Sequence, residues 1–380
     1  MLSYPLPLGD ALPGAPALAA RGTAAAGVRT VTLVHEAQYD FAAGAPGPRP
    51  LVTEVWYPAK PSPGSGPAVY TDHMGRADLG NLTAYDFSGR ALRDAEPDPA
   101  MGPRPVVLLS HGYPGSRMLL CNLAENLSSK GYVVLAVSHR DNAYTDFLPE
   151  RSMESALYHR SRDQRFVLDC LPGLNTDGFL KGLLDLGRVA LIGFSMGGYG
   201  VLRTLGAGLH PQAAAAHPDL PPEEAAGADP RVRAAVLFAP AAMLTDPATF
   251  GNITAPTLWV CGTADKTVGY DSVRAAWQSA VRSDRYLVSY TACGHNVANN
   301  PPPACALTAD WTLLKRWADP VWDTWRLNNL NAHFVTAFLD AALSGSKDAQ
   351  DFLDGSPLPG FVESTDAGVA VEHLTAGGNS

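Results

Sequence analysis

The chain has 380 residues, of which 46% are hydrophobic and 17% are charged, as in an ordinary globular protein with a large core. A net charge of −9, with no block of lysine or arginine, argues against nucleic-acid and anionic-membrane partners. No apolar stretch approaches the ~20 residues of a membrane span, and the first 22 residues lack the features of a secretory signal, so we expect a cytoplasmic protein.

The first quarter of the chain predicts an irregular start and a β-sheet flank. Residues 1–27 are rich in Ala, Pro and Gly and are expected to form a surface segment. Residues 28–34 and 51–57 alternate between apolar and polar side chains, which predicts two antiparallel strands, the first at a half-exposed edge. Residues 58–104 are rich in Pro, Gly and Asp, and their apolar residues follow no sustained helical or strand period. We therefore expect a long irregular segment over the surface.

From residue 105 onward, short apolar runs alternate with amphipathic helical segments. We predict strands at 105–110, 132–138, 188–192, 233–238, 257–261 and 286–290, and helices at 117–130, 161–171, 196–206, 272–282 and 331–343. Such alternation is typical of right-handed βαβ units and a mostly parallel sheet. The fold class is therefore α/β, as one domain over residues 28–345 followed by a C-terminal tail at 346–380.

The strongest motif is a Gly-x-Ser-x-Gly sequence at Gly193, Ser195 and Gly197. It follows the apolar run at 188–192 and opens a predicted helix, which is the context of a sharp strand-to-helix turn carrying a nucleophilic serine. The residues two before and two after the serine come close together in such a turn, so both must be small. We predict that Ser195 is a nucleophile in an α/β-hydrolase fold.

A serine hydroxyl needs a base to take its proton and an acid to orient that base. In this fold both follow the serine on loops after later strands, the acid first and the histidine second. Asp265 follows the strand at 257–261, and His295 follows the strand at 286–290, so we predict a Ser195, His295 and Asp265 triad. Asp246, after the preceding strand, remains the rival acid.

The reaction also requires two N–H donors for the oxyanion of a tetrahedral intermediate. We assign one to the backbone of Met196, directly after the nucleophile. The loop after the strand at 105–110 is expected to supply the other, and Tyr113 is the candidate because Gly112 lets the backbone turn and Pro114 has no N–H.

Several blocks resemble platelet-activating-factor acetylhydrolases and the related bacterial dienelactone-hydrolase-like esterases. They are Thr-Glu-Val-Trp-Tyr-Pro at 53–58, Ser-His-Gly-Tyr at 110–113, His-Arg-Asp at 139–141 and Gly-Phe-Ser-Met-Gly-Gly at 193–198. The resemblance spans roughly residues 28 to 345 and implies hydrolysis of carboxylic esters without metal or cofactor. True dienelactone hydrolases use a cysteine where this chain has Ser195, and the animal acetylhydrolases carry their acid where this chain has Pro240.

Three insertions are expected to rim the site as caps, because ligands bind at the carboxyl ends of parallel strands. They lie at about 141–160, 241–253 and 296–330, and the last holds four of the chain's seven tryptophans, namely Trp311, Trp317, Trp322 and Trp325. These indoles either pack into the core or bind substrate. His111, which follows a strand and precedes the serine, is expected to be structural or to line the substrate pocket.

The predicted function is hydrolysis of a neutral, moderately hydrophobic ester, small or polymeric, through an acyl-enzyme. Amidase or lactonase chemistry with the same triad, or a non-catalytic ligand-binding protein of this fold, are the alternatives. The five cysteines have no metal-ligand spacing and are expected to be reduced thiols, although Cys261 and Cys293 could be neighbours at the ends of adjacent strands.

Overall fold

The structure is a computed structural model that describes residues 10–61, 66–222, 227–355, 358–361 and 368–378. Its strands are β1 (Ala26–Asp40), β2 (Ala45–Pro58), β3 (Pro67–Met74), β4 (Thr83–Arg93), β5 (Arg104–Ser110), β6 (Val133–Val137), β7 (Leu184–Phe194), β8 (Gly208–Leu209), β9 (Val232–Phe238), β10 (Thr245–Asp246), β11 (Thr257–Gly262), β12 (Arg285–Tyr290) and β13 (Val369–Leu374). Its α-helices are α1 (Cys121–Ser129), α2 (Ser152–Thr176), α3 (Met196–Thr204), α4 (Pro211–Ala216), α5 (Tyr270–Ser279), α6 (Ala304–Leu307), α7 (Trp311–Leu314), α8 (Thr324–Ser344) and α9 (Lys347–Asp354).

One large sheet organises the described residues, with strand order β13-β12-β11-β9-β7-β5-β6-β2-β1-β4-β3. The six strands from β12 to β6 in that order are mutually parallel. Strand β13 pairs antiparallel to β12 at one side, and β2 pairs antiparallel to β6 at the other. Strands β8 and β10 form a separate two-stranded ladder.

The helices cover both faces of the parallel part of the sheet. The chain passes from β5 through α1 to β6, and then crosses back through α2 to β7 on the other side of β5. Crossovers between parallel strands are right-handed as a rule, which places α1 and α2 on opposite faces. Helix α8 packs against α1, and α3 packs against α2. The order reverses at β5, so the loops after β5 and β7 meet at the position where ligands bind in open α/β sheets.

The N-terminal sheet flank is larger than the sequence pattern predicts. The predicted antiparallel pair is present as β1 and β2, but β1 is not an edge strand, since it also pairs with β4. The expected irregular surface segment at 58–104 contains β3 and β4. These two strands pair antiparallel, and β3 forms the edge of the sheet. Side chains of β3 alternate between exposed and buried, as in a strand with one face on the core. The surrounding turn-forming residues masked this alternation in the sequence.

Residues 346–380, predicted as a C-terminal tail, contain regular secondary structure. Residues 347–354 form α9, and β13 adds six residues to the open edge of β12. An edge strand offers unpaired N–H and C=O groups, so a late strand can complete the ladder without any strong sequence signal. Residues 356–357, 362–367 and 379–380 of the predicted tail lie outside the described residues.

Two further expectations concern the oxidation state of the cysteines and the presence of membrane-spanning helices. All five cysteines are free. Across the residues that the structure describes, no helix is both long enough and apolar enough to cross a membrane.

Candidate active site

Ser195 lies in a sharp turn between a buried strand and a helix. Strand β7 ends at Phe194, α3 begins at Met196, and Ser195 adopts a positive φ of 54°, which is uncommon for a residue other than glycine. The end of β9 holds its backbone, because Ser195 donates its N–H to Phe238 (2.9 Å) and accepts from the N–H of Ala241 (3.0 Å). The serine therefore lies half-buried at the carboxyl end of β7.

Glycine is required on both sides of this turn by close backbone contacts. A Cβ at Gly193 would overlap with the backbone of Gly197, and a Cβ at Gly197 would overlap with the carbonyl of Ser110. These contacts pack the start of α3 directly against the ends of β5 and β7.

The structure brings together the three residues that the sequence predicts as a triad. The Nε2 atom of His295 lies 3.0 Å from the Oγ atom of Ser195, and its Nδ1 atom lies 2.8 Å from Oδ2 of Asp265. The loops after β7, β11 and β12 supply these side chains, and the three strand ends lie along one edge of the sheet. The side chain of Asp265 is fully buried, whereas that of His295 is 18% exposed.

Asp265 is held as an ionised acceptor. Burial alone raises its pKa, but the hydrogen bond and charge of His295 and the amides of Thr267 and Val268 outweigh burial, so the pKa lies below its ordinary value. Its Oδ1 atom accepts from these amides at 2.8 and 3.1 Å. A carboxylate held in this way makes Nδ1 of His295 the protonated nitrogen and leaves Nε2 to accept from Ser195.

The rival acid has a different partner. Asp246 accepts from the N–H of Ala248 at 3.0 Å and caps a short 3₁₀ helix at residues 247–252. The structure therefore brings Asp265, and not Asp246, to the imidazole.

Two backbone N–H groups beside Ser195 remain available to a ligand. Met196 is the first residue of α3, and Tyr113 lies on the loop after β5. Within the part of the chain that the structure describes, neither N–H donates to an acceptor. Gly112 lies close to the nucleophile, since a Cβ there would be 3.6 Å from the Cβ of Ser195. Both predicted oxyanion donors are thus unpaired among the described residues, and their service to an oxyanion stays a prediction.

Of the two roles expected for His111, the contacts of its ring favour the structural one over substrate binding. Its ring is buried, its Nδ1 lies 2.7 Å from the carbonyl oxygen of Gly112, and its Nε2 accepts from the N–H of His139 at 3.0 Å. Both ring nitrogens are engaged by the protein, so His111 supports the loop from behind and offers no polar atom to a substrate.

A second Ser-His-Asp arrangement lies in the core behind the site. Ser110 Oγ is 2.8 Å from Nε2 of His139, and Nδ1 of His139 is 2.8 Å from Asp163. Arg49 donates twice to Asp163 and holds its pKa well below the ordinary range, although burial alone raises it. Since Ser110 is only 1% exposed, this network supports the strand ends and cannot attack a substrate.

Aromatic and cationic side chains flank the loop that carries Tyr113. The Tyr113 ring packs 5.4 Å from that of Phe147, and the Arg76 guanidinium lies 4.0 Å above the Phe147 ring. Phe147 belongs to the predicted insertion at 141–160. Arg76 was missed by the sequence analysis because β3 and β4, which bring it there, were not predicted.

The tryptophans at 296–330 do not share one environment. Trp317 is 2% exposed and packs with Met74 and Ala306, its ring edge-on to Tyr85. Trp322 donates to the carbonyl of Thr291 at 2.8 Å and is half-buried, as is Trp325. Trp311 is 57% exposed. Core packing therefore accounts for Trp317, while a substrate contact at Trp311, Trp322 or Trp325 stays a prediction.

The segment at 296–330 is tied to the loop of the triad histidine. Asp319 accepts from the N–H of Gly294 at 2.7 Å, one residue before His295, and Asn296 donates to the carbonyl of Ala318 at 3.2 Å. Buried Asn300 links the same segment to α1 by accepting from the N–H of Asn122 at 3.0 Å. These bonds hold the segment against the site, and its service as a cap over Ser195 stays a prediction.

Among the described residues, no group of three His, Cys, Asp or Glu side chains is arranged to hold a metal ion.

Comparison with known proteins agrees with this architecture. A family profile described as alpha/beta hydrolase fold matches residues 105–217, from β5 to the residue directly after α4. A solved structure titled as a ferulic acid esterase from Streptomyces cinnamoneus superposes with a TM-score of 0.64 at 22% identity, covering 95% of this chain and 100% of that one. No curated protein sequence matches the chain. The central parallel sheet, the flanking helices and these matches together show that the chain has the α/β-hydrolase fold.

Proposed function

We propose that this protein is a serine hydrolase that cleaves carboxylic esters through an acyl-enzyme. The observation that carries the proposal is the hydrogen-bond chain from Ser195 Oγ through His295 to the buried carboxylate of Asp265, with distances of 3.0 and 2.8 Å. It lies beside two unpaired backbone N–H groups at a turn where the serine has a positive φ. Nucleophile, base, orienting acid and oxyanion donors are the complete set that acyl transfer needs.

In the acylation half, Ser195 Oγ attacks the ester carbonyl carbon while Nε2 of His295 takes the hydroxyl proton. Asp265 stabilises the imidazolium that forms and keeps the proton on Nδ1. The carbonyl oxygen becomes an oxyanion, to which Tyr113 and Met196 donate their N–H groups. Collapse of this intermediate breaks the bond to the alcohol, which leaves with the proton from His295.

In the deacylation half, His295 takes a proton from water, and the resulting hydroxide attacks the acyl-serine carbonyl. The same two N–H groups hold the second oxyanion. Collapse of that intermediate releases the carboxylic acid and returns the proton to Ser195. In each half, His295 takes up one proton and gives one back, so the protons balance over the cycle. The cycle therefore uses the groups of the site and one water molecule.

The substrate class follows from the surroundings and from the resemblances. The ring of Phe147 packs against Tyr113, and the ring of Phe194 lies 5.0 Å from that of His295. Such neighbours favour a neutral, moderately hydrophobic ester. The resemblance to dienelactone-hydrolase-like esterases and the ferulic acid esterase title of the structural neighbour both support ester hydrolysis and suggest aryl and aromatic-acid esters as first substrates.

The test is hydrolysis of a panel of esters that vary in acyl length and in alcohol, with a matched amide included. Ser195→Ala should lose at least ~10⁴-fold in kcat, because the nucleophile is removed. Covalent labelling by a fluorophosphonate should occur in the wild type and be absent in Ser195→Ala. Absence of both labelling and turnover in the folded wild type would indicate a non-catalytic protein of this fold, and turnover that survives in Ser195→Ala would reject the assigned nucleophile.

A further inference from the structure

A buried arginine lies directly behind the loop that carries the proposed oxyanion donor. We propose that Arg160 is a positioning residue that, together with His111, grips the carbonyl of Gly112 and thereby aims the N–H of Tyr113 at the oxyanion. The inference rests on the proposed function and extends it to a residue on α2, on the far side of the loop from the substrate.

The hydrogen bonds of Arg160 converge on this region. Its Nη2 atom donates to the carbonyl of Gly112 at 2.8 Å, and its Nη1 atom donates to the carbonyl of His111. Its Nε atom donates to Asn142 Oδ1 at 3.1 Å. Arg160 is fully buried, which lowers the pKa of its guanidinium to about 9 and leaves it cationic at neutral pH. A fixed guanidinium presents its donors in a rigid plane, which suits it to hold two successive carbonyls.

His111 supplies a second grip on the same carbonyl, and its tautomer can be assigned. The N–H of His139 can only donate, so Nε2 of His111 must be the acceptor at 3.0 Å. The proton of the neutral ring is then on Nδ1, which donates to Gly112 at 2.7 Å. Burial and the charge of Arg160 keep the pKa of His111 well below its ordinary value, so the ring stays neutral.

The carbonyl of Gly112 and the N–H of Tyr113 belong to one peptide plane. In a trans peptide these two bonds point in opposite directions, so a carbonyl fixed from behind fixes the direction of the N–H in front. Two donors on the carbonyl also polarise the peptide and strengthen its N–H as a donor. Gly112, with no side chain of its own, would otherwise leave this plane free to rotate.

The buried network behind the site shares helix α2 with the arginine. Arg160 and Asp163 lie three residues apart on α2, where Asp163 bonds to His139 and Arg49. His139 in turn binds Ser110 at the end of β5 and presents its N–H to His111. The network thus connects the helix to the strand end from which the oxyanion loop departs.

The experiment compares Arg160→Met, which removes every donor but keeps much of the volume, with Arg160→Lys, which retains a cation and a donor group. The matched control is Arg165→Met on the same helix, because Arg165 also donates to backbone carbonyls, those of Thr204 and Gly227, but at the far end of α3. Each variant is measured for thermal unfolding, for the fraction labelled by a fluorophosphonate, and for kcat and KM on the best ester.

The decisive readout is the inhibition constant of a trifluoromethyl ketone analogue of that ester. Ser195 Oγ adds to the ketone carbon, its proton passes to His295, and the resulting hemiketal oxygen takes the place of the oxyanion. Loss of one oxyanion donor costs ~10²–10³-fold in kcat. We expect Arg160→Met to lose at least ~10-fold in kcat per labelled site, with an equal weakening of ketone inhibition and little change in KM, and Arg160→Lys to fall between it and the wild type.

The outcomes separate this inference from the proposed function. The positioning role alone would be overturned by the following result. The wild type turns over and depends on Ser195, but Arg160→Met and Arg160→Lys match Arg165→Met in kcat and in ketone inhibition. If Arg160→Met does not fold, Arg160→Lys decides the question by the same comparison. Absence of turnover in the wild type, or turnover that persists in Ser195→Ala, would reject the proposed function and this inference with it.

Discussion

Replacement of Asp265 by asparagine should trap the imidazole in the wrong tautomer. Oδ1 of Asp265 accepts from the amides of Thr267 and Val268 at 2.8 and 3.1 Å, while Oδ2 faces Nδ1 of His295 at 2.8 Å. An asparagine has one oxygen and one NH₂ group. The two amides require the oxygen, so the NH₂ group must face His295 and donate to Nδ1. The proton of the neutral ring then moves to Nε2, which points at Ser195 and can no longer accept its proton.

The expected loss of kcat in Asp265→Asn follows from this geometry. Asparagine has nearly the same shape, and the amides of Thr267 and Val268 keep their acceptor, so we expect a folded protein with a similar KM. The tautomer change in an analogous triad lowers kcat by ~10⁴-fold, which corresponds to about 5 kcal/mol of transition-state stabilisation at 1.36 kcal/mol per factor of ten. Steady-state hydrolysis of a chromogenic ester by Asp265→Asn, with thermal unfolding as a check of folding, measures the effect.

Asp246→Asn is the matched control, because Asp246 caps a short helix and was the rival acid by sequence. It should keep the wild-type kcat. A kcat for Asp265→Asn within tenfold of the wild type would refute the orienting role, and a large loss in Asp246→Asn alone would transfer that role to the rival.

Two further predictions concern stability. Trp317→Ala should lower the free energy of unfolding by about 3–5 kcal/mol, because the indole is buried against Met74 and Ala306. Trp311→Ala, at an exposed site, should change that free energy by less than about 0.5 kcal/mol. Chemical denaturation measures both. A shift in ester preference in Trp311→Ala would favour a substrate contact, and unchanged preference would count against it. Burial and the charge of Arg160 lower the pKa of His139 to about 4 from 6.5, so the unfolded chain binds a proton that the native one does not, and stability should fall as the pH drops through this window. His139→Gln removes this titrating group, so it should show a flatter loss of stability between pH 6.5 and 4; a slope equal to that of the wild type would contradict it.

Much of the parallel sheet was predictable from local patterns. Short apolar runs between helical segments anticipated the six parallel strands, but not the two-residue strands β8 and β10. Chain order alone placed Asp265 and His295 on the loops after β11 and β12. The flank was harder to predict. Strands β3, β4 and β13 depend on pairing with partners that are distant in sequence or at an open edge, and their local signal is diluted by turn-forming residues.

The sequence by itself determined the strand-to-helix turn at Ser195, because the motif follows a buried strand and the contact that excludes a Cβ at Gly193 is with Gly197 in the same turn. Only the tertiary structure decided which side chains meet across the sheet. It brought Asp265 rather than Asp246 to the imidazole, turned His111 away from the substrate side, and placed Arg160 behind Gly112. Local periodicity records which face of an element is buried, whereas hydrogen-bond partners 30 to 100 residues apart are set by the order and crossover of the strands.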